Sequence, residues 1–553
     1  MRFLRIQYLF FSLIAVLLIS SCHYKRIVDL IVFNGTIYTV NTMFSVTQAM
    51  AIKNGKIISL GRSDDILDDY QSENTIDLQG NFVYPGFIDA HSHFFGYATD
   101  LLKCDLTGTK SFDEIIDQLR TFSISNKFDW LLARGWDQND WTIKEYPDKN
   151  IIDSLFPDKP VFMLRIDGHA VLCNQVALDM AGITPETKVE GGEILLADGK
   201  LTGLLIDNAI DLVKVKIPQY SAELVEEALL RAQQNCVAAG LTSVSDAGLG
   251  KDSIEVIQKL QNENKLKLRV YAMMSDDKPT LDHFIQTGPI ISDRLTVRAI
   301  KVYTDGALGS RGACLKQAYS DQPGHFGFLL KDRNYLEQLC ELAKNNKFQM
   351  CAHAIGDSAV STILDVYSNY VSGENNRRWR IEHCQVVSPK DLRKFGDNSI
   401  IPSVQPTHAT SDMYWAQERL GAERIKYAYA YNDLLQNSDG IIALGTDFPV
   451  ESIQPLLTYY AAVQRRDLDG YPDEGFQKEN ELSKKDALRG MTIWAAYASF
   501  EDDFKGSLEE GKFADFVVLD KDILEIPEKK IPKVDVLFTF INGEKMFQSD
   551  KFK

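Results

Sequence analysis

The chain has 553 residues, 45% hydrophobic and 25% charged, a balance that excludes a disordered protein and is large enough for one big core with appended modules. A formal net charge of −17 argues against nucleic acid as the main partner, because phosphate binding needs a positive surface.

The N-terminus reads as a targeting segment. Arg2 and Arg5 form a positive region, and LFFSLIAVLLI is an apolar run short for a bilayer span. It ends in Ile19-Ser20-Ser21-Cys22, which resembles a bacterial lipobox. This reading makes 1–21 a lipoprotein-type signal peptide, with cleavage before Cys22 and acylation of Cys22. Several acyl chains on one residue anchor stably where a single chain binds only marginally. The expected location is therefore the cell envelope, lipid-anchored on the periplasmic or outer-membrane face. An ordinary secretory signal and an uncleaved anchor are the alternatives.

Residues 28–83 read as short strands split by turns, with Asn34-Gly35 and Asn54-Gly55 as hairpin signals. Residues 505–548 return to the same style, with a turn at Asn542-Gly543. The two ends are expected to pair into one small β-sandwich. Between them, apolar runs alternate with helical stretches, the pattern of βα units. Eight runs are expected as barrel strands: FVYPGFIDAH, LTSVSDAG, LRVYAMM, LTVRAIKVYTDG, FQMCAHAIG, WRIEHC, SIIPSVQP and IIALGTD. The stretch between the first two is far longer than one crossover needs. The barrel is thus assigned to 84–104 and 206–504, with an α/β subdomain inserted at 105–205. Beyond Cys22, seven cysteines are scattered without C-x-x-C spacing and read as core residues, a Cys104–Cys173 bridge remaining open.

The chemistry sits at strand ends. His91 and His93 follow an apolar strand, and residues i and i+2 of an extended chain face the same way, so both imidazoles can reach one ion. His353, His383 and Asp447 end three further runs, and Lys301 lies within a fourth. In a (β/α)8 barrel, catalytic groups project from the C-terminal ends of different strands into one pocket. Imidazole and carboxylate ligands suit a divalent metal, zinc foremost. Taken singly, His353 reads as a core histidine and Asp447 as a helix cap; together these readings fail. Lys301 in an apolar strand must be paired, with Asp305 as one candidate, or neutralised, as by a carbamate bridging two metals.

The segments YPGFIDAHSHF, RGWDQNDW, RIDGHAVLCNQVAL, IKVYTDGALGSRGA, CAHAIGD, RIEHCQ, SVQPTHAT, LGTDFPV and GSLEEGKFADFVVLD resemble the amidohydrolase superfamily. Within it they resemble amidohydrolase family 3, the YtcJ-like or N-substituted formamide deformylase-like proteins, over about residues 28–545. The resemblance implies an α/β fold: a distorted TIM (β/α)8 barrel, the β-sandwich from both chain ends, and the insert after barrel strand 1. It implies that His91, His93 and Asp447 bind one metal, that His353 and His383 bind a second, and that Lys301 is the bridging, carboxylated lysine; a one-metal site stays open. His169 and His408 resemble positions close to the pocket, and Trp136 and Arg311 are further substrate-binding candidates.

The expected activity is hydrolysis of a non-peptide carbon–nitrogen bond by a metal-bound hydroxide, with Asp447 as proton acceptor and donor. Deamination, carbamate or lactone hydrolysis on the same scaffold, and an inactive lipid-anchored binding protein, are the alternatives. Expected partners are a small-molecule amide and the membrane, with no nucleic acid; a homo-oligomer stays open.

Overall fold

In a computed structural model, the protein is described over residues 24–552 apart from 127, 139–140, 167, 169, 190–191 and 374. The signal segment and Cys22 lie outside the described residues. Among the described residues no helix is long and apolar enough to cross a membrane.

Eight parallel strands form the barrel sheet in chain order: Phe87–Ser92, Leu241–Leu249, Arg269–Ser275, Leu295–Tyr303, Gln349–Ala354, Arg380–His383, Ile401–Val404 and Ala443–Leu444. These are the eight runs expected from the sequence, with one correction. FVYPGFIDAH is two strands, because Phe82–Pro85 pairs antiparallel with Phe516–Leu519 and the chain turns at Gly86 into the barrel. A Cβ on Gly86 would lie 2.3 Å from Thr242, so the close approach to the second strand requires glycine.

The seam between the eighth and first strands carries no ladder. It is closed by main-chain bonds from Asp447 N to His91 O and from His93 N to Phe448 O, both 2.8 Å. Asp89 adds a carboxylate clasp, accepting from His91 N at 3.1 Å, Thr446 N at 3.0 Å and the Thr446 hydroxyl at 2.7 Å. Gly445 sits tight against this clasp; a Cβ there would lie 2.5 Å from His91 N.

The two chain ends build a pair of sheets. A six-stranded one orders Glu544–Gln548, Val536–Ile541, Phe516–Leu519, Phe82–Pro85, Thr36–Tyr38 and Val46–Thr47. A four-stranded one orders Lys56–Gly61, Ala49–Lys53, Leu30–Phe33 and Thr75–Asp77. Their shared core contains Val32, Ile52, Val83, Phe516 and Phe540, the last two stacked at 4.3 Å. Asn54-Gly55 and Asn542-Gly543 turn hairpins as expected. Asn34-Gly35 does not: the strands on either side of it belong to different sheets, so this turn is a crossover.

Residues Phe95–Ala232 form a separate compact unit, wider than the expected 105–205. Its sheet orders Cys104–Asp105, Leu131–Trp136, Val161–Arg165, Ala170–Cys173, Lys200–Asp207 and Gly192–Ala197, parallel at first and antiparallel after Arg165. All seven described cysteines are free, and six are buried.

Candidate metal centre

The barrel's strand ends converge as their sequence positions imply, and two of them do so through unusual backbone. His383 and Asp447 have φ of 74° and 63°, left-handed values that are costly for non-glycine residues and cluster at functional sites. At the end of the sixth strand, φ of 74° departs from the extended alternation that would send neighbours 382 and 383 to opposite faces. Glu382 and His383 both approach His91: the carboxylate is 2.6 Å from its Nδ1, and the two rings have centroids 4.7 Å apart.

Each of three histidines has its Nδ1 occupied by an acceptor. His91 faces Glu382, His93 faces the Ala247 carbonyl at 3.0 Å, and His383 faces the Gln405 side-chain oxygen at 2.8 Å. A neutral imidazole that donates from Nδ1 keeps a bare lone pair on Nε2. Those Nε2 atoms turn inward: His93 Nε2 is 3.2 Å and His91 Nε2 3.5 Å from Asp447 Oδ1. His408 Nε2 is 3.6 Å from Asp447 Oδ2. Two triads, His91–His93–Asp447 and His383–His408–Asp447, each bring ligand atoms within 4.8 Å of one another. His353 lies beside them, its ring 4.5 Å from that of His383. His353 Nε2, His408 Nε2 and Asp447 Oδ1 are buried without a hydrogen-bond partner. The orphaned Asp447 oxygen beside the bare Nε2 atoms of His91 and His93 fits a divalent cation.

Lys301 completes the set. It is buried, with Nζ 3.3 Å from His91 Nε2 and above the Tyr303 ring at 4.8 Å. Asp305, its candidate partner, is otherwise engaged, accepting from the backbone of Cys314, Ile355 and Gly356 at 2.9–3.0 Å. Burial lowers the Lys301 pKa. Burial, then the Lys301 charge, lowers His91 to about 4 and His353 to about 3, and burial takes His383 well below its ordinary value. Asp447 moves the other way from a buried acid: burial pushes it up, but the His93 imidazole 3.2 Å away and the neighbouring imidazoles hold it below the usual carboxylate range. Neutral imidazoles around an ionised carboxylate are the forms a metal binds.

The substrate-binding candidates separate. His408 is at the centre, its Nδ1 3.2 Å from the Gln385 amide nitrogen. Arg311 pairs with Asp321 through two nitrogens at 2.7 and 3.2 Å. Trp136 is fully buried in the core of the Phe95–Ala232 unit, its indole donating to the Met163 carbonyl at 2.8 Å, so it packs that unit instead of walling a pocket. His169 lies outside the described residues. Sequence reasoning missed Asp89, Arg380, Glu382, Gln385 and Gln405. Only RIEH offered a signal, since two charges inside a four-residue buried strand demand partners.

The sequence matches the model of the amidohydrolase family (Amidohydro_3) over residues 74–547. It is 33% identical over 541 residues to Protein LONG AFTER FAR-RED 3 of Arabidopsis thaliana, covering 94% of this chain and 92% of that protein. It is 24% identical over 540 residues to the N-substituted formamide deformylase of Arthrobacter pascens, covering 93% and 97%. The fold superposes on an uncharacterized metal-dependent hydrolase from Pyrococcus horikoshii OT3 with TM-score 0.77 and 30% identity, covering 90% of this chain and 99% of that one. With the barrel, the strand-end histidines and this match in hand, the chain belongs to the amidohydrolase family.

Proposed function

We propose that this chain is a metal-dependent hydrolase of carbon–nitrogen bonds in small non-peptide amides. The observation that carries the reading is the convergence of the bare Nε2 lone pairs of His91 and His93 on Asp447, whose other oxygen faces His408. The formamide deformylase among the relatives supports the choice of bond. His91, His93 and Asp447 would hold one ion, and His353 and His383 a second; imidazole and carboxylate donors favour zinc. A cation held there would act as a Lewis acid and bring the pKa of a coordinated water down towards neutrality.

Asp447 would take a proton from the attacking water at its carboxylate and return it to the leaving nitrogen. His408, accepting at Nδ1 from Gln385, keeps its proton on Nε2 and donates it towards substrate oxygen. Lys301 would react as a neutral amine with carbon dioxide, losing a proton and giving a carbamate whose negative charge could help hold the cation. Its burial and the absence of any carboxylate within ion-pair distance among the described residues support this. The chain would be tethered through acylated Cys22 at the cell envelope, with a small amide and the membrane as partners.

The test is product analysis on a panel of amides, carbamates, lactones and amino-heterocycles. Release of amine and acid from the amides is the expected result; turnover of lactones or amino-heterocycles alone would overturn the bond assignment. Metal analysis of wild type beside Lys301→Ala tests the carbamate: two ions falling to one or none is expected, and unchanged content would sink it. Cys22→Ala should move the protein from the membrane to the soluble fraction.

A further inference from the structure

The inward face of His91 belongs to the metal centre; its outward face leads to a buried chain of charges. Glu382 Oε2 is 2.6 Å from His91 Nδ1. Arg380 Nε is 2.7 Å from Glu382 Oε1, and Arg380 Nη2 is 3.1 Å from Oε2. The same Nη2 donates to the Ala90 carbonyl at 2.5 Å and the Ser403 hydroxyl at 3.0 Å. All three side chains are wholly excluded from solvent.

His93 and His383 donate to neutral acceptors, a carbonyl and an amide oxygen. His91 alone of the three donates to a carboxylate, and hydrogen bonds to ionised acceptors are about twice as strong as neutral ones. A carboxylate accepts only, so its contact fixes the imidazole proton on Nδ1 and leaves Nε2 bare. Arg380 is what fixes this acceptor in place. Its guanidinium lies against both carboxylate oxygens and holds them in one orientation towards His91.

We propose that Glu382, clamped by Arg380, is a positioning residue that locks His91 in its metal-binding tautomer and thereby sets the affinity of the centre. The inference rests on the metal-site reading above. Its rival is a purely structural ion pair that ties the sixth strand to the first through Ala90.

The test uses the full-length chain stripped of metal, with zinc affinity read by chelator competition and melting temperature read without metal. Arg380→Gln combined with Glu382→Gln removes both charges together, and Glu382→Asp keeps the charge while withdrawing it from His91. The expected result is zinc affinity reduced about 10–100-fold in the double variant and by a smaller factor in Glu382→Asp, beyond any change in metal-free melting. Wild-type affinity in both variants, with a lowered melting temperature alone, would overturn the proposal in favour of the structural tie. Should the variants fail to fold, 15N spectra of histidine-labelled, metal-free wild type decide: a His91 proton on Nδ1 is expected, and one on Nε2 overturns the proposal. Wild type that takes up no zinc would sink the metal-site reading itself, whatever the tautomer.

Discussion

The two ends of the barrel strands both bury polar groups and treat them differently. At the N-terminal ends, Arg269 grips Asp515 through two bonds of 2.6 and 3.0 Å and adds Asn542 and the Asp293 carbonyl. Nearby, Lys505 pairs with Glu501 at 2.5 Å and donates to Ser243, while Thr296 donates to Glu501. At the C-terminal ends, His353, His408 and Asp447 keep buried atoms without partners. One end spends its charges on each other and fastens the barrel to the terminal sheets; the other withholds them for a ligand. Conservation of a barrel's lower face for stability and of its upper face for chemistry is the general rule for this architecture. Here it shows as hydrogen-bond satisfaction.

That contrast can be broken from either side. The largest effect is expected from Asp447→Asn, which should lower turnover by about a thousandfold while metal content and melting temperature stay near wild type. A variant that lost stability instead would make Asp447 structural, like Asp515. Asp515→Ala should do the converse. Leaving Arg269 buried and uncompensated costs about 3–5 kcal/mol, read by urea denaturation, with zinc stoichiometry unchanged in the folded fraction.

Gly445→Ala tests whether the seam transmits packing into the site. Its Cβ would meet His91 N at 2.5 Å and Asp89 at 2.8 Å, so a destabilisation of about 1–3 kcal/mol should come with weakened zinc binding. Stability loss at full affinity would show that the seam yields without moving His91.

The smallest effect is on pH dependence. With His91 at about 4 and His353 at about 3, protons compete for these two nitrogens only in acid. Zinc affinity should change little from pH 8 to 6 and fall below about pH 5. The sign for stability follows from the same shifts. These histidines bind protons less well folded than at their ordinary 6.5, so the unfolded chain holds more protons between 6.5 and about 4. Their contribution is present above 6.5 and lost as pH falls through that window, measurable as metal-free melting against pH.

Much of this architecture was legible in the chain. Apolar runs, four of them ending in or next to His or Asp, gave all eight barrel strands, because a buried parallel strand must be apolar along its length and polar only where it emerges. The composite terminal sheets followed from two β-rich ends around an α/β middle. The misreadings came from local signals with two physical uses. Asn34-Gly35 is a left-handed turn, but the same φ serves a crossover between sheets. Trp136 and Arg311 have the size and charge of substrate contacts, yet one fills a core and the other pairs with Asp321.

Sequence by itself determined where the ligand-type groups stand: His91, His93, His353, His383, Lys301 and Asp447 lie at or near strand ends because periodicity and burial leave polar residues few other places to go. Tertiary structure alone decided how they are held. Glu382 lies 291 positions from His91 and Asp89 lies 357 from Thr446, and such partners share no local pattern. They meet because barrel closure brings the first strand against the eighth and turns the sixth towards it, and a buried donor must find an acceptor wherever the fold supplies one.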